Sequence, residues 1–442
     1  MPPVLLQFYE ASETWCQSAL AFLRTRITEG LEIPQVSKLG FEVRSDRSFS
    51  SFRETKSDER TIEPLVNQKF YGQLLELPAF HQASEIMGKT EQIARHLDTQ
   101  VGTQYGTSMI RARWVLTKLL INYWDESKTI EFEEAAFDRV YQRLETFLCS
   151  NTLRVDMTMP LDGFESDVGS IELGDGLLIT RLTEEKIQEM YATNEWFRDL
   201  YKHNLLDVPR YAIMLRTEKE KIFGVNISDN EDLRETLHAV ISVLRIYKAG
   251  SVWWQQIHVA SGPAEWGCHP SSFLEPRRIS NFKKYTVEDS EVPDLQKLWK
   301  EYISVDWQLH QFIRVAVDRL NFGIGRDRSH DKMIDYVVAL EALLLSYLED
   351  FAELRFRFAL RGAKLLGKAS ENKRKIYSEL KKIYDRRSKI VHGSSVDDKD
   401  QLTEEFIDMV EEYARLVLRR FIDLAKDHRK GRLIDWDSVV LD

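Results

Sequence analysis

The side chains of this chain best placed for chemistry lie close together near its C-terminal end: Arg387, Ser388 and His392, in the run Ile383-Tyr-Asp-Arg-Arg-Ser-Lys-Ile-Val-His-Gly393. A permanently charged guanidinium beside an imidazole that titrates near neutrality suits phosphoryl transfer. The arginine can stabilise negative charge developing on phosphate oxygens, and the histidine can give or take a proton. The run reads as the last turns of a helix. Leu380, Ile383, Tyr384, Arg387, Ile390 and Val391 fall on one face at three-and-four spacing, and Gly393 supplies a stop. Arg387 and His392 then stand about one and a half turns apart. Arg387 occupies a position where the apolar stripe calls for Leu, and a buried guanidinium left unpaired costs several kcal/mol. His392 falls in the last turn, where the negative end of the helix favours the protonated ring. Ser388, four residues before His392, lies on the same side and could orient the ring or touch a phosphate; a solvated or back-bonding helix serine is the plainer use. On spacing alone, an Arg and a His near a helix end are more often a salt-bridged structural arginine and a solvated histidine.

A partner for Arg387 is visible upstream. In the stretch from Lys332 to Glu349, Ile334, Val337/Val338, Leu344/Leu345 and Leu348 form a stripe, and Glu341 falls in its gap. Opposite charges on two inward faces predict a Glu341–Arg387 pair, with Glu341 positioning the guanidinium; a purely structural ion pair fits the pattern equally. From Glu353 to His392 there are thirteen Lys/Arg and four acids, inside a chain of net charge -10. Such a run is usually a solvated face, but this one adjoins the motif. That makes Arg386, Lys389, Lys381 and Lys382 candidates for contact with a phosphate backbone. The excess of acids from Asp397 to Glu412 would confine the track to one side.

Arg387-Ser-Lys-Ile-Val-His392 matches R-x4-H, and it resembles the motif of HEPN domains, specifically the ApeA-like branch. The resemblance extends through Tyr336-Val-Val-Ala-Leu-Glu-Ala-Leu-Leu-Leu345, Glu353-Leu-Arg-Phe-Arg-Phe-Ala-Leu-Arg361 and Ala363-Lys-Leu-Leu-Gly367, covering roughly residues 330 to 425. A looser likeness runs from Pro160-Leu-Asp-Gly-Phe to Ile179-Thr-Arg-Leu-Thr-Glu-Glu, a segment that precedes the HEPN part in similar proteins. Many HEPN motifs carry Asn after the Arg; Ser388 stands here, and the resemblance assigns that position no role. The resemblance implies a small helical bundle that dimerises about a two-fold axis and places two motifs in one cleft. It implies a metal-independent endoribonuclease with Arg387 and His392 as catalytic residues, no cofactor and no metal. It further implies a prokaryotic anti-phage or toxin effector, with sensing or substrate selection in the N-terminal part.

Length and composition bound the rest. A chain of 442 residues with 43% apolar side chains can build two or three cored domains. Its negative net charge argues against a generally basic coat, though not against a local basic surface. Cys16, Cys149 and Cys268 are widely spaced and odd in number, which points to a reducing, cytoplasmic setting without a disulfide framework. The first residues lack the basic and apolar segments of a signal peptide, and no run of about 18 apolar residues suggests a membrane span.

The elements expected to position these residues follow from periodicity. Residues 1–150 read as mostly helical: 4–28, then Ser84–Trp124 broken by Gly102 and Gly106, then Ile130–Cys149, with Arg44–Arg60 a polar loop or insertion. Residues 151–290 read as a small α+β region. Its strands are Leu153–Met159, Ile171–Leu173, Leu177–Arg181, Tyr211–Phe223 (interrupted at Thr217–Lys221) and Ser251–Ala260, and its helices open at Thr183 and Asn230. Residues 291–442 read as a bridging helix from Val292 to about Gly323, carrying Leu309 and Val315/Ala316 in its core stripe. An antiparallel bundle of Lys332–Glu349, Phe351–Leu366, Glu371–His392 and Leu402–Lys426 follows. The fold class is therefore α+β, mainly helical, with a mixed α/β middle and a C-terminal bundle of four to five helices.

Weaker signals favour ordinary uses. Gly323-Ile-Gly325 lacks the rest of a phosphate loop. Trp253, Trp254 and Trp266 could stack bases but read better as core. Cys268-His269 has no further ligand at zinc spacing, and His310 and His330 have no visible partner. The expectation is an endoribonuclease acting on RNA as a homodimer, off the membrane, and responding to a phage-derived or cellular activator at its N-terminal region. The alternative is a non-catalytic dimerisation, RNA-binding or partner-binding module in which Arg387 is structural.

Overall fold

The computed structural model of the chain describes residues 5–43, 49–91, 93, 108–193, 209–220, 231–261, 266, 271–274, 283–348, 352–392 and 402–441. In the first region α1 (Leu6–Thr28) buries Phe8, Trp15, Leu20 and Leu23 along one face. It packs against α3 (Pro78–Lys89), which follows a short π-helical turn (Leu65–Lys69) and α2 (Tyr71–Leu75). Pro78 opens α3 at a position where its missing N–H is not needed. The helices α4 (Ser108–Ser127) and α5 (Glu134–Cys149) complete the layer. The start of α1 is tied to α5, since Leu5 N donates to Glu145 Oε1 at 2.7 Å.

Two readings of this region are corrected. The stretch Arg44–Arg60, expected as a loop, contributes β2 (Phe49–Arg60), which pairs antiparallel with β1 (Gln35–Val43). β2 was not legible because its sequence from Arg53 to Arg60 is polar throughout, without the apolar alternation that marks a half-buried strand, and Lys56, Asp58, Glu59 and Arg60 are exposed. The helix expected from Ile130 starts at Glu134, after Glu133 in extended conformation. Gly102 and Gly106 lie outside the described residues.

The middle region is a six-stranded antiparallel sheet in the order β5-β6-β7-β3-β8-β9, with a parallel pair of β4 and β10 beside it. The strands are β3 (Thr152–Leu161), β4 (Phe164–Ser166), β5 (Ser170–Gly174), β6 (Leu177–Arg181), β7 (Tyr211–Glu220), β8 (Gln256–Ser261), β9 (Ser271–Leu274) and β10 (Tyr285–Val287). The β5–β6 turn needs left-handed backbone at Gly174, Asp175 and Gly176, and a Cβ at Gly176 would lie 2.2 Å from the Arg216 carbonyl. Thr183 caps α6 (Glu184–Thr193), its hydroxyl accepting from Lys186 N at 3.2 Å, and α7 (Glu231–Tyr247) follows. The predicted interruption of β7 does not occur. That strand pairs with β3 from Tyr211↔Leu161 to Glu220↔Thr152, with Arg216, Glu218 and Glu220 exposed. The strand expected from Ser251 begins only at Gln256; ahead of it Trp253 exchanges its backbone hydrogen bonds with Asp162, at 2.8 and 3.0 Å, in an isolated bridge.

The last region holds α8 (Val292–Ile303), α9 (Gln311–Ile324), α10 (Ser329–Leu344), α11 (Leu354–Leu366), α12 (Ser370–Val391), α13 (Glu404–Ala425) and α14 (Trp436–Leu441). The single bridging helix expected here is two. Asp306 accepts from the backbone N–H of Gln308 and Leu309 at 3.1 and 3.0 Å, a local alternative to helical bonding. Leu309 and Val315, expected in the core, are 38% and 45% exposed, while Ala316 is buried. The four helices of the expected bundle are present, and α11 and α12 run antiparallel. Their close approach is made at Gly362, where a Cβ would meet Leu380 Cδ1 at 2.2 Å.

One continuous set of contacting apolar side chains runs through all three regions. Buried Arg245 of α7 donates to Val252 O and to Asn321 Oδ1 of α9, and its own carbonyl accepts from Arg415 Nε of α13 at 2.9 Å. The fold is thus α+β, mostly helical with an antiparallel sheet. Among the described residues no helix is long and apolar enough to cross a membrane.

Candidate functional site

The site is built where α10 and α12 face each other near their C-terminal ends. Leu340, Leu343 and Leu344 bury one side of α10, and Ile376, Leu380 and Ile383 bury one side of α12. That packing brings Glu341 and Arg387 together: Arg387 Nη2 donates to Glu341 Oε2 at 3.1 Å. The two side chains are 26% and 19% exposed, so the pair is only partly dry. Burial pushes the Glu341 carboxyl up from its ordinary range, and the Arg387 guanidinium pulls against it. Tyr384, whose ring lies 5.4 Å from that of Phe358, flanks the pair. Burial raises its phenol, and the neighbouring Glu341 carboxylate adds to the rise. Arg387 Nε is buried with no hydrogen-bond partner among the described residues.

His392 caps α12, its backbone N–H donating to Ser388 O at 3.1 Å. Its side chain is exposed, and Ser388 is half-buried on the same face. The predicted stripe holds only in part. Leu380 and Ile383 are buried, Tyr384, Arg387 and Ile390 half-buried, and Val391 is 51% exposed. The last turn of α12 therefore emerges from the core into solvent, carrying His392 with it. Gly393, expected to stop the helix, lies outside the described residues, as does the start of the acidic run at Asp397.

The predicted basic track is unevenly available. Arg386 lies over the Phe406 ring of α13, 3.8 Å from its centroid, and so is held by a neighbouring helix. Arg355 pairs with Asp385. Arg361 is turned inward: it donates to Leu344 O at 2.9 Å and lies 4.6 Å from the Trp436 ring centroid. Lys381 lies over Tyr377, Lys389 is half-buried and Lys382 is exposed. Sequence spacing missed the seat of Arg386 on Phe406, because the two residues come from different helices and no local pattern links them.

The remaining signals fall to structure. Trp253, Trp254 and Trp266 are buried, and Arg245 covers Trp253. Gly323 is small because Tyr336 packs on it, a Cβ there meeting the ring at 2.3 Å. His310 is buried with its ring 5.2 Å from that of His428, and burial pushes it down; His330 is exposed. Cys268 and His269 lie outside the described residues.

Chemically, the arrangement offers an oriented guanidinium with donors not taken up by Glu341, an exposed imidazole at a helix C-terminus on the same helix, and lysines alongside. No protein-family model, curated protein or solved structure matches the chain.

Proposed function

We propose that the C-terminal bundle is a HEPN-type endoribonuclease that cleaves RNA without a metal ion, with Arg387 and His392 as its catalytic residues. The observation that carries the reading is the Glu341–Arg387 contact. A carboxylate from α10 fixes a guanidinium on α12 that stays 26% exposed, one and a half turns or so from an exposed histidine. The 2′-hydroxyl of RNA attacks the adjacent phosphorus, giving up its proton as the P–O2′ bond forms. The P–O5′ bond breaks, and the departing 5′-oxygen takes a proton. Arg387 stabilises the charge that develops on the phosphorane oxygens. One imidazole serves one of the two proton transfers at a time, so the second falls to His392 of a second copy of the chain, and the active form is a homodimer. Glu341 positions the guanidinium, and Ser388, Lys381, Lys382 and Lys389 lie along the path of the strand. In this reading the protein is a regulated cytoplasmic effector of prokaryotic anti-phage defence, and residues 1–290 are where a phage-derived or cellular activator acts.

The test is cleavage of mixed cellular RNA in excess chelator, with the new ends identified. Fragments with 2′,3′-cyclic phosphate and 5′-hydroxyl ends support the mechanism, whereas cleavage that stops in chelator and returns with Mg²⁺ rules it out. A second reading, a non-catalytic RNA-binding or dimerisation module, is favoured by the exposure of His392, whose ring has no partner among the described residues. It predicts RNA binding or a dimer with no cleavage under any condition.

A further inference from the structure

The face of α12 that carries His392 does not end at the motif. Tyr377, Lys381, Asp385, Ser388 and His392 recur at intervals of four, four, three and four residues. At 3.6 residues per turn they share an arc of about 80° and span about 22 Å of helix. Along this face Asp385 is neutralised by Arg355 from α11. At its far end Phe356 of α11 meets Tyr377 edge-on, with ring centroids 6.3 Å apart and planes at 74°. Lys381 Nζ sits 5.8 Å from the Tyr377 centroid. Phe356 is 47% exposed, next to Phe358, which is fully buried. Position 356 therefore places an aromatic ring in solvent, on the segment with thirteen Lys/Arg and four acids. A core role does not explain it.

We propose that the exposed ring of Phe356, braced edge-on by half-buried Tyr377, is a stacking platform for the bases of single-stranded RNA, set at the Tyr377 end of this face about 22 Å along α12 from His392. The inference rests on the RNA reading above and names the substrate class: an unpaired strand, several nucleotides of which lie along α12 on one side of the scissile phosphate. Charge complementarity selects this occupant, since the cations flank the rings while the acid on the face is already paired. Every base offers a flat π-face, so aromatic residues among cations hold single strands with little regard to sequence. A duplex, whose bases are stacked internally, cannot use the platform.

The test uses the full chain carrying His392→Ala, so that RNA stays intact, and measures binding of a fluorescent twelve-nucleotide single-stranded RNA and of its duplex by anisotropy. Adding Phe356→Ala should weaken single-strand binding by about tenfold. Adding Phe356→Trp should restore it, and duplex binding should not change with either. Phe356 is exposed, so the variants should melt as their parent does. Equal single-strand affinity with and without the ring overturns the platform, as does a loss shared equally by the duplex. Absence of any single-strand binding also overturns it. A change of oligomeric mass in Phe356→Ala overturns it too, by showing that the ring covers a protein surface. Failure of the nuclease reading would look different: binding that depends on Phe356, with no cleavage by the wild type.

Discussion

Two arginines approach α10 from two different helices, and they differ in what their donors do. Arg415, on α13, is 2% exposed, and each of its three nitrogens has an acceptor. Its Nε donates to Arg245 O, Nη1 to Glu412 at 3.1 Å and Nη2 to Glu411, which also accepts from Tyr336 of α10 at 2.7 Å. Arg387, on α12, makes one bond to Glu341, keeps a buried Nε without a partner among the described residues, and is 26% exposed. Burial with all three nitrogens engaged makes a guanidinium a fastener. Orientation by a single carboxylate, with part of the guanidinium open to solvent, makes it able to receive an oxyanion. The contrast separates the arginine that holds the bundle to the middle region from the one assigned to chemistry.

The largest expected effect is on Arg415. Arg415→Ala removes one partner of a buried ionic cluster and strands Glu411 and the Arg245 carbonyl, so stability should fall by about 3–5 kcal/mol. Urea denaturation reads this directly, and a midpoint equal to wild type would break the contrast. Arg387→Ala should do the reverse. Its stability cost should be about 1–2 kcal/mol, from one lost hydrogen bond to a half-buried carboxylate. RNA cleavage should fall by about a hundredfold or more. If the two variants lose equal stability, Arg387 is as structural as Arg415.

A finer test uses Glu341. Its carboxyl is raised by burial. Below the value it has in the unfolded chain, it is protonated in both states and contributes fully. As pH rises through its raised folded value, the wild type loses stability relative to Glu341→Gln. Melting both proteins from about pH 4 to about pH 7 should show the gap moving in the variant's favour by a few degrees. A gap moving the other way would show that Arg387 overcomes the burial.

The same two arginines show what a sequence can disclose. Arg387 stood out because it replaced an apolar residue in a stripe, and Glu341 did so in the facing stripe, so the pair could be read from two one-dimensional patterns. Arg415 did not, since Glu411 and Glu412 precede it by four and three residues, the spacing of an ordinary solvated helix pair. Its burial comes from α7 and α10, which no local pattern reports. The strands with apolar alternation and the capped helices were legible for the same reason that Arg387 was. The β1–β2 ribbon and the break at Asp306 were not. In the first, β2 is polar from Arg53 to Arg60 and carries no apolar alternation there, and the second depends on one carboxylate taking backbone N–H groups inside an otherwise continuous apolar stripe. Exposure of Val391 and Phe356 was likewise invisible, because periodicity gives the face of a helix and not where its cover ends.

The most direct test of the account is RNA cleavage in chelator by purified wild type and His392→Ala, side by side. His392 is exposed and caps α12 through its backbone, so its side chain can be removed without loss of fold. The account predicts cyclic-phosphate ends from the wild type and a rate lower by about a hundredfold or more in the variant. Equal cleavage by both proteins would contradict it.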